Sequence, residues 1–179
     1  FKQPYMDTDS VIEVPVGVDA VGNQIKFLMN AVDHFHAFIL GRSGSGKSVF
    51  LHNIIAGSML KYSPEDLQLY LLDFKLGGVE FNRYRDAKHI KALLVDNSDM
   101  QVTLEILRDL YVQMKNRGEL LRSAGASDIS DYNRANPNNR MPQILFVADE
   151  CHAMFNSSMS NDHKLFREIS EIVEINEKE

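Results

Sequence analysis

Apolar and polar positions begin to alternate at Val11. Val11, Ile12, Val14, Val16 and Val18 precede a turn signal over 19–23, and Ile25, Phe27 and Met29 follow it. Successive side chains of a strand point to opposite faces, so this pattern predicts a β-hairpin closed around Gly22-Asn23. The next apolar run, His36-Ala37-Phe38-Ile39-Leu40, stops abruptly at Gly41. It predicts a buried parallel strand, apolar on both faces. After Ser48 the period changes. Val49, Phe50, Ile54, Ile55, Ser58 and Met59 recur at helical spacing until Ser63-Pro64 ends the run.

Strands are predicted again over 67–74 and 90–95. Ser98 followed by Gln101 resembles a capping box. It opens a long helix with Leu104, Leu107, Tyr111, Met114 and Leu121 on its apolar stripe and Gly125 as its stop. Residues 123–142 are rich in Ser, Asn, Asp and Pro, which predicts a surface excursion with one helical turn. Ile144 to Ala148 is the most strongly apolar run and is predicted to be a central strand. A last helix over 163–175 precedes an acidic tail of Glu171, Glu174, Glu177 and Glu179.

Strands alternating with helices predict an α/β fold, a mostly parallel sheet with helices on both faces, preceded by the N-terminal hairpin. The expected organisation is a hairpin extension over 1–30 and a core over 31–179. No internal repeat or low-complexity tract interrupts it.

Composition narrows the classes. With 179 residues, 44% of them hydrophobic and 25% charged, the chain is globular rather than disordered. Lys and Arg number 19 against 25 Asp and Glu, a net charge of -6. Bulk charge therefore cannot hold a nucleic acid, and any such binding needs a local basic patch. A single cysteine, Cys151, excludes an internal disulfide and a Cys-based zinc site, which places the expected location in a reducing, cytoplasmic compartment. No run approaches the roughly 18 consecutive apolar residues of a spanning helix, so no membrane contact by these residues is expected. The chain starts at Phe1 rather than Met, which suggests a piece of something longer.

The chemistry concentrates in two places. Gly41-Arg42-Ser43-Gly44-Ser45-Gly46-Lys47-Ser48 fits G-x-x-x-x-G-K-[ST] in full. Gly44 and Gly46 let the backbone curl until successive N–H groups converge on a phosphate, and a helix starting near Lys47 aims its positive end there. Lys47 would reach the β- and γ-phosphates and the Ser48 hydroxyl would hold Mg²⁺, with Val49 completing the nucleotide-binding set. Short Gly/Ser patterns recur by chance. This one, however, lies after an apolar strand and before an amphipathic helix, as the mechanism requires.

The second place is Ile144-Leu145-Phe146-Val147-Ala148-Asp149-Glu150. An apolar strand ending in two acids can set the first carboxylate beside Mg²⁺ and the second where it polarises an attacking water. Asp149 is thus the candidate Walker B carboxylate and Glu150 the candidate general base, which points to hydrolysis rather than binding alone. The strands over 67–74 and 90–95 separate the phosphate loop from this one in sequence. A strand inserted between the two is the pattern of RecA-like ATPases, and no guanine-reading Asn-Lys-x-Asp follows Glu150. ATP is the expected nucleotide.

From Pro15 to Phe155 the chain resembles the motor domain of the FtsK/SpoIIIE family. The matching segments are PVGVDAVGNQIKF, FHAFILGRSGSGKSVFLHNII, YSPEDLQLYLLDFKLGGVEF, MKNRGELLRSAGASDISDYN and ILFVADECHAMF, in the family's order. The resemblance implies a RecA-like P-loop NTPase working as a homo-oligomeric ring, usually a hexamer, that moves a polymer through its channel. In one branch the polymer is double-stranded DNA; in the related type VII secretion ATPases it is a protein. A non-motor reading also stands beside these, a domain whose assembly is gated by nucleotide. Lys47, Ser48, Asp149 and Glu150 fall on the family's catalytic positions, and Asp73 and Lys75 on an Asp-x-Lys that shapes the site. The family's later sensor strand, its trans-acting Arg and a DNA-reading winged helix have no counterpart before Glu179. The expectation is therefore a truncated core that binds nucleotide yet hydrolyses it poorly.

Other residues have plainer readings. Arg83, Arg85, Lys88 and Lys91 form one basic run, and Lys115, Arg117 and Arg122 another. A solvated face accounts for both better than a polymer contact does, with Arg117 a weak candidate for a ring interface. The six histidines make no convincing metal set; His34 and His36 sit at a strand edge and His152 stands alone. Cys151 fits a buried structural role, and Met154, Phe155 and Met159 fit packing of a helix on the sheet.

Overall fold

The computed structural model describes residues 5, 11–30, 34–75, 79–95 and 100–152. The Ser98 capping box, the helix over 163–175, the acidic tail and Met154, Phe155 and Met159 lie outside them.

The hairpin forms as the alternation predicts. β1 (Val11–Val18) pairs antiparallel with β2 (Gln24–Asn30), with a register shift between Pro15 and Gly17. Its turn is held by Asp19, whose Oδ1 accepts the backbone N–H groups of Val21 at 2.9 Å and Asn23 at 2.8 Å. α1 (Lys47–Lys61) buries Leu51, Ile54, Ile55 and Ser58, a stripe at helical spacing. That helix packs on β1. The Tyr62 hydroxyl, just beyond α1, accepts from Glu13 N at 2.9 Å and donates to Val11 O at 3.2 Å.

A second sheet has the order β4-β3-β5, from β3 (Leu67–Asp73), β4 (Ile90–Leu94) and β5 (Gln143–Asp149). β3 and β4 run parallel. β5 runs the same way along the other side of β3. Gln143 N donates to Asp66 O at 2.8 Å where both strands begin, and Phe74 N donates to Asp149 O at 3.2 Å where both end. The helix following β4, α2 (Met100–Ala124), ends at Gly125 with φ of 65°, the left-handed stop that glycine allows. Leu104 and Leu107 of α2 bury themselves with Leu72, Phe74 and Leu94, and Tyr111 and Cys151 pack on that cluster.

Three predictions change. The 67–74 segment rather than Ile144–Ala148 supplies the central strand: β3 is buried on nearly every residue, whereas β5 is an edge among the described strands and leaves Phe146 38% exposed. Residues 36–40 do not form a buried strand. Phe38 is 76% and Leu40 80% exposed, and no described strand completes a ladder with them. A parallel strand needs a neighbour's N–H and C=O groups, which an apolar run cannot supply for itself. The 123–142 segment is more than a surface excursion. It contains α3 (Ile129–Ala135), capped by Asp128 accepting from Asp131 N at 2.9 Å, and it buries Tyr132, Asn133 and Met141. The Asn133 amide brackets Met141, donating to its O at 2.9 Å and accepting from its N at 2.6 Å.

The chain divides into two compact units. One comprises residues 1–68 with 126–145, the other 69–125 with 146–179. In the first, Asp66 ties the start of β3 to the segment before β5, taking Arg140 Nε at 3.0 Å on its carboxylate. In the second, Gln113 Nε2 of α2 donates to Tyr70 Oη of β3 at 2.6 Å.

Candidate nucleotide site

In the first unit, the loop before α1 rests on two glycines. Gly44 has φ of 77° and Gly46 of 91°. A residue with a Cβ costs about 1–2 kcal/mol in that region. No heavy atom lies within 4 Å of a Cβ placed at either position, so backbone conformation rather than crowding calls for glycine there. The space beside both is open. At Gly41 a Cβ would meet Ser45 Oγ, which a turn of the exposed Ser45 side chain would relieve. Ser45 N donates to Arg42 O at 3.0 Å, which tightens the curl.

Gly46 is the N-cap of α1, no side chain caps it, and the first turn carries no acidic residue. The first N–H groups of the helix and the positive end of its dipole therefore favour an anion. Lys47 and Ser48 are half-buried, while Gly41, Arg42, Ser43, Gly44, Ser45, Gly46 and Val49 are exposed. Val49, at 72% exposure, lies off the apolar face of the helix.

The second unit carries the acids. Asp149, at the end of β5, is 2% exposed, and its Oδ1 accepts Glu150 N at 2.9 Å. The Phe74–Asp149 backbone bond brings the end of β3 alongside. There Asp73, fully buried, accepts Lys75 N at 3.0 Å on Oδ1 and Glu80 N at 3.1 Å on Oδ2. One carboxylate thus fixes the backbone at both Lys75 and Glu80. Lys75 Nζ pairs with Glu80 Oε1 at 3.2 Å. That pairing first, then the nearby charges of Asp149 and Asp73, raises the Lys75 ammonium above its ordinary pKa. Glu150 has φ of 54°, and its Oε2 lies 3.3 Å from His152 Nδ1.

Each set fits its expected ligand. In the first unit the open space at Gly44 and Gly46 and the uncapped helix start suit a polyphosphate, and the Ser48 hydroxyl there and the Asp149 carboxylate of the second unit are each an oxygen donor of the kind Mg²⁺ prefers. Among the described residues no three His, Cys, Asp or Glu side chains gather into a metal cage. Mg²⁺ does not need one, being held by one or two protein oxygens together with substrate phosphates.

Arg83, Arg85, Lys88 and Lys91 are all exposed. Arg117 is half-buried near Tyr70, and burial pushes its guanidinium below its ordinary pKa. His34 and His36 lie in the irregular stretch 34–40, where His34 O accepts the backbone N–H of Asn30, the last residue of β2, at 3.0 Å. Sequence reasoning missed Glu80 as the partner of Lys75, and it left His152 alone where the structure sets it against Glu150. The one available signal for the latter was the spacing Glu150-x-His152, which means little until the backbone turn is known.

The profile of the FtsK/SpoIIIE family matches residues 2–175. The chain is 29% identical over 133 residues to the DNA translocase FtsK of Streptococcus pyogenes serotype M3, covering 74% of this chain and 16% of that protein. It is 28% identical over 160 residues to the ESX-5 secretion system protein EccC5 of Mycobacterium tuberculosis, covering 82% of this chain and 11% of that one. The cytoplasmic domain of the Thermomonospora curvata type VII secretion ATPase EccC superposes with a TM-score of 0.72 at 26% identity, over 96% of this chain and 20% of that one. The pCW3 conjugation coupling protein TcpA has the same fold, at a TM-score of 0.69 and 22% identity over 92% of this chain and 42% of its own. The chain spans a small part of the curated relatives it matches. No helix among the described residues is long and apolar enough to cross a membrane. The α/β architecture predicted from the sequence is that of P-loop ATPase domains, and the chain belongs to the FtsK/SpoIIIE family of P-loop ATPases.

Proposed function

We propose that this chain binds and hydrolyses ATP as the motor module of a ring translocase acting on double-stranded DNA. The loop that enters α1 carries the reading: two left-handed glycines, an uncapped helix start and Lys47 stand together in the first unit. In this reading the backbone N–H groups of 43–48 hold the phosphates and Lys47 offsets their charge. Ser48 and Asp149 would hold Mg²⁺, which supplies charge neutralisation at the β- and γ-phosphates. Glu150 orients the attacking water and takes its proton.

The DNA cargo is supported by the likeness to DNA translocase FtsK. A protein cargo is the second reading, favoured by the likeness to EccC in both sequence and fold. A homo-oligomeric ring, hexameric as the family resemblance implies, serves either. The test is the ATPase rate of the natural protein alone, with duplex DNA, with single-stranded DNA and with candidate protein substrates. Stimulation by duplex alone is expected. Stimulation by protein alone would select the second reading, and stimulation by none would leave a domain that assembles on nucleotide without moving a polymer.

A further inference from the structure

One contact in the second unit is unused by the scheme above. Among the described residues Glu150 is the non-glycine residue with a positive φ, at 54°. Such a conformation costs about 1–2 kcal/mol and persists where surrounding contacts hold it. Here Glu150 N donates to Asp149 Oδ1 at 2.9 Å, fixing the turn immediately after β5. Two residues on, His152 Nδ1 lies 3.3 Å from Glu150 Oε2.

Side chains two apart along a regular strand project to the same face, and along a helix they diverge. At the sharp bend after β5 neither rule applies, and it is the left-handed turn at Glu150 that lets its carboxylate and the His152 ring meet. The Glu150 side chain is 33% and that of His152 68% exposed. An exposed pair of this kind adds little to fold stability, of the order of 0–1 kcal/mol. Its effect lies elsewhere: a flexible carboxylate at the end of a strained turn has several rotamers, and a ring at 3.3 Å favours one of them.

We propose that His152 is a positioning residue for Glu150, its Nδ1–H donating to Oε2 so that the carboxylate is held in one orientation. The inference rests on the reading of Glu150 as the base. A carboxylate that must be found in one rotamer loses rate when the rotamer is no longer held, while nucleotide affinity, which depends on the loop of 41–48, is untouched.

The test compares His152→Ala, His152→Asn and Glu150→Gln in the natural protein. Asn can place a side-chain N–H where His152 places Nδ1–H. His152→Ala is expected to lower kcat about two- to fivefold, with KM within about twofold and an unchanged thermal midpoint. His152→Asn should recover most of that loss. The ¹⁵N shift of His152 Nδ1 should also move on Glu150→Gln, an observation independent of turnover. Loss of hydrolysis in Glu150→Gln with full activity in His152→Ala would overturn the positioning role alone, as would a His152→Asn variant as slow as His152→Ala or an unmoved ¹⁵N shift. Normal hydrolysis by Glu150→Gln would instead overturn the base assignment, and the positioning role with it.

Discussion

The buried carboxylate of Asp73 accepts the backbone N–H of Glu80 at 3.1 Å, seven residues further along the chain. The same carboxylate takes Lys75 N on its other oxygen at 3.0 Å. Asp73→Asn replaces one acceptor with a donor and so faces a backbone N–H with another N–H. A loss of about 1–3 kcal/mol of stability is expected from one buried donor left unsatisfied. Urea unfolding measures it, and an unchanged midpoint would contradict the role given to Asp73.

Lys47→Ala removes the ammonium that the proposed site sets against the phosphates. Nucleotide affinity should fall at least tenfold, read by titration with a fluorescent ATP analogue. Glu150→Gln should leave that affinity within about twofold while reducing hydrolysis by about 10²-fold or more, as loss of a general base does. Unchanged affinity in the first variant would remove the phosphate-loop assignment.

Gly57 of α1 faces Val14 of β1 with no room for a methyl group, since a Cβ at 57 would run into Val14 Cγ1. Val14 is 1% exposed and cannot swing into solvent. Alanine favours a helix over glycine by about 0.8–1 kcal/mol, but overpacking costs about 1–3 kcal/mol, so Gly57→Ala should be destabilising on balance. Thermal unfolding checks the sign. A stabilised variant would mean that helix and hairpin separate easily.

Glu13 on β1 lies 2.6 Å from Lys26 Nζ and 3.6 Å from Lys61 Nζ. The Lys26 hydrogen bond chiefly, with Lys61 adding to it, holds the Glu13 carboxyl below its ordinary pKa. A depressed carboxylate contributes stability above its unfolded pKa and loses it as pH falls through the folded value. Wild type should therefore exceed Glu13→Gln in stability near pH 7 by less than about 1 kcal/mol, the scale of a largely solvated pair. The gap should close as pH falls below about 4. A gap independent of pH would mean that the pair contributes by packing alone.

Local chemistry explains which features were legible. Gly44 and Gly46 declare themselves because only glycine takes φ of 77° and 91° freely, and the pattern around them specifies a turn into a helix. The stripe of α1, the long helix ending at Gly125 and the hairpin are short-range patterns of the same kind. The Asn-rich composition of 123–142 misled for a physical reason, seen at Asn133. An amide that usually signals a turn serves equally well as a buried bracket once Met141 presents its backbone to it, and that requires a contact eight residues away. Residues 36–40 misled in the opposite sense: their apolarity was read as burial, but pairing depends on a neighbour that the run itself does not encode.

The amino-acid sequence by itself determined the glycine-rich turn of 41–48, the two acids at the end of β5, the α/β alternation and the family, because each is written in residue type and spacing over a few turns of chain. Tertiary structure alone decided that β3 is central, that Asp73 holds the backbone of Glu80, that Lys75 pairs with Glu80 and that His152 meets Glu150. Those contacts depend on where the chain bends after each strand and on which strand lies beside which. Such choices are settled by burial and backbone pairing across the whole fold, and no local pattern carries them.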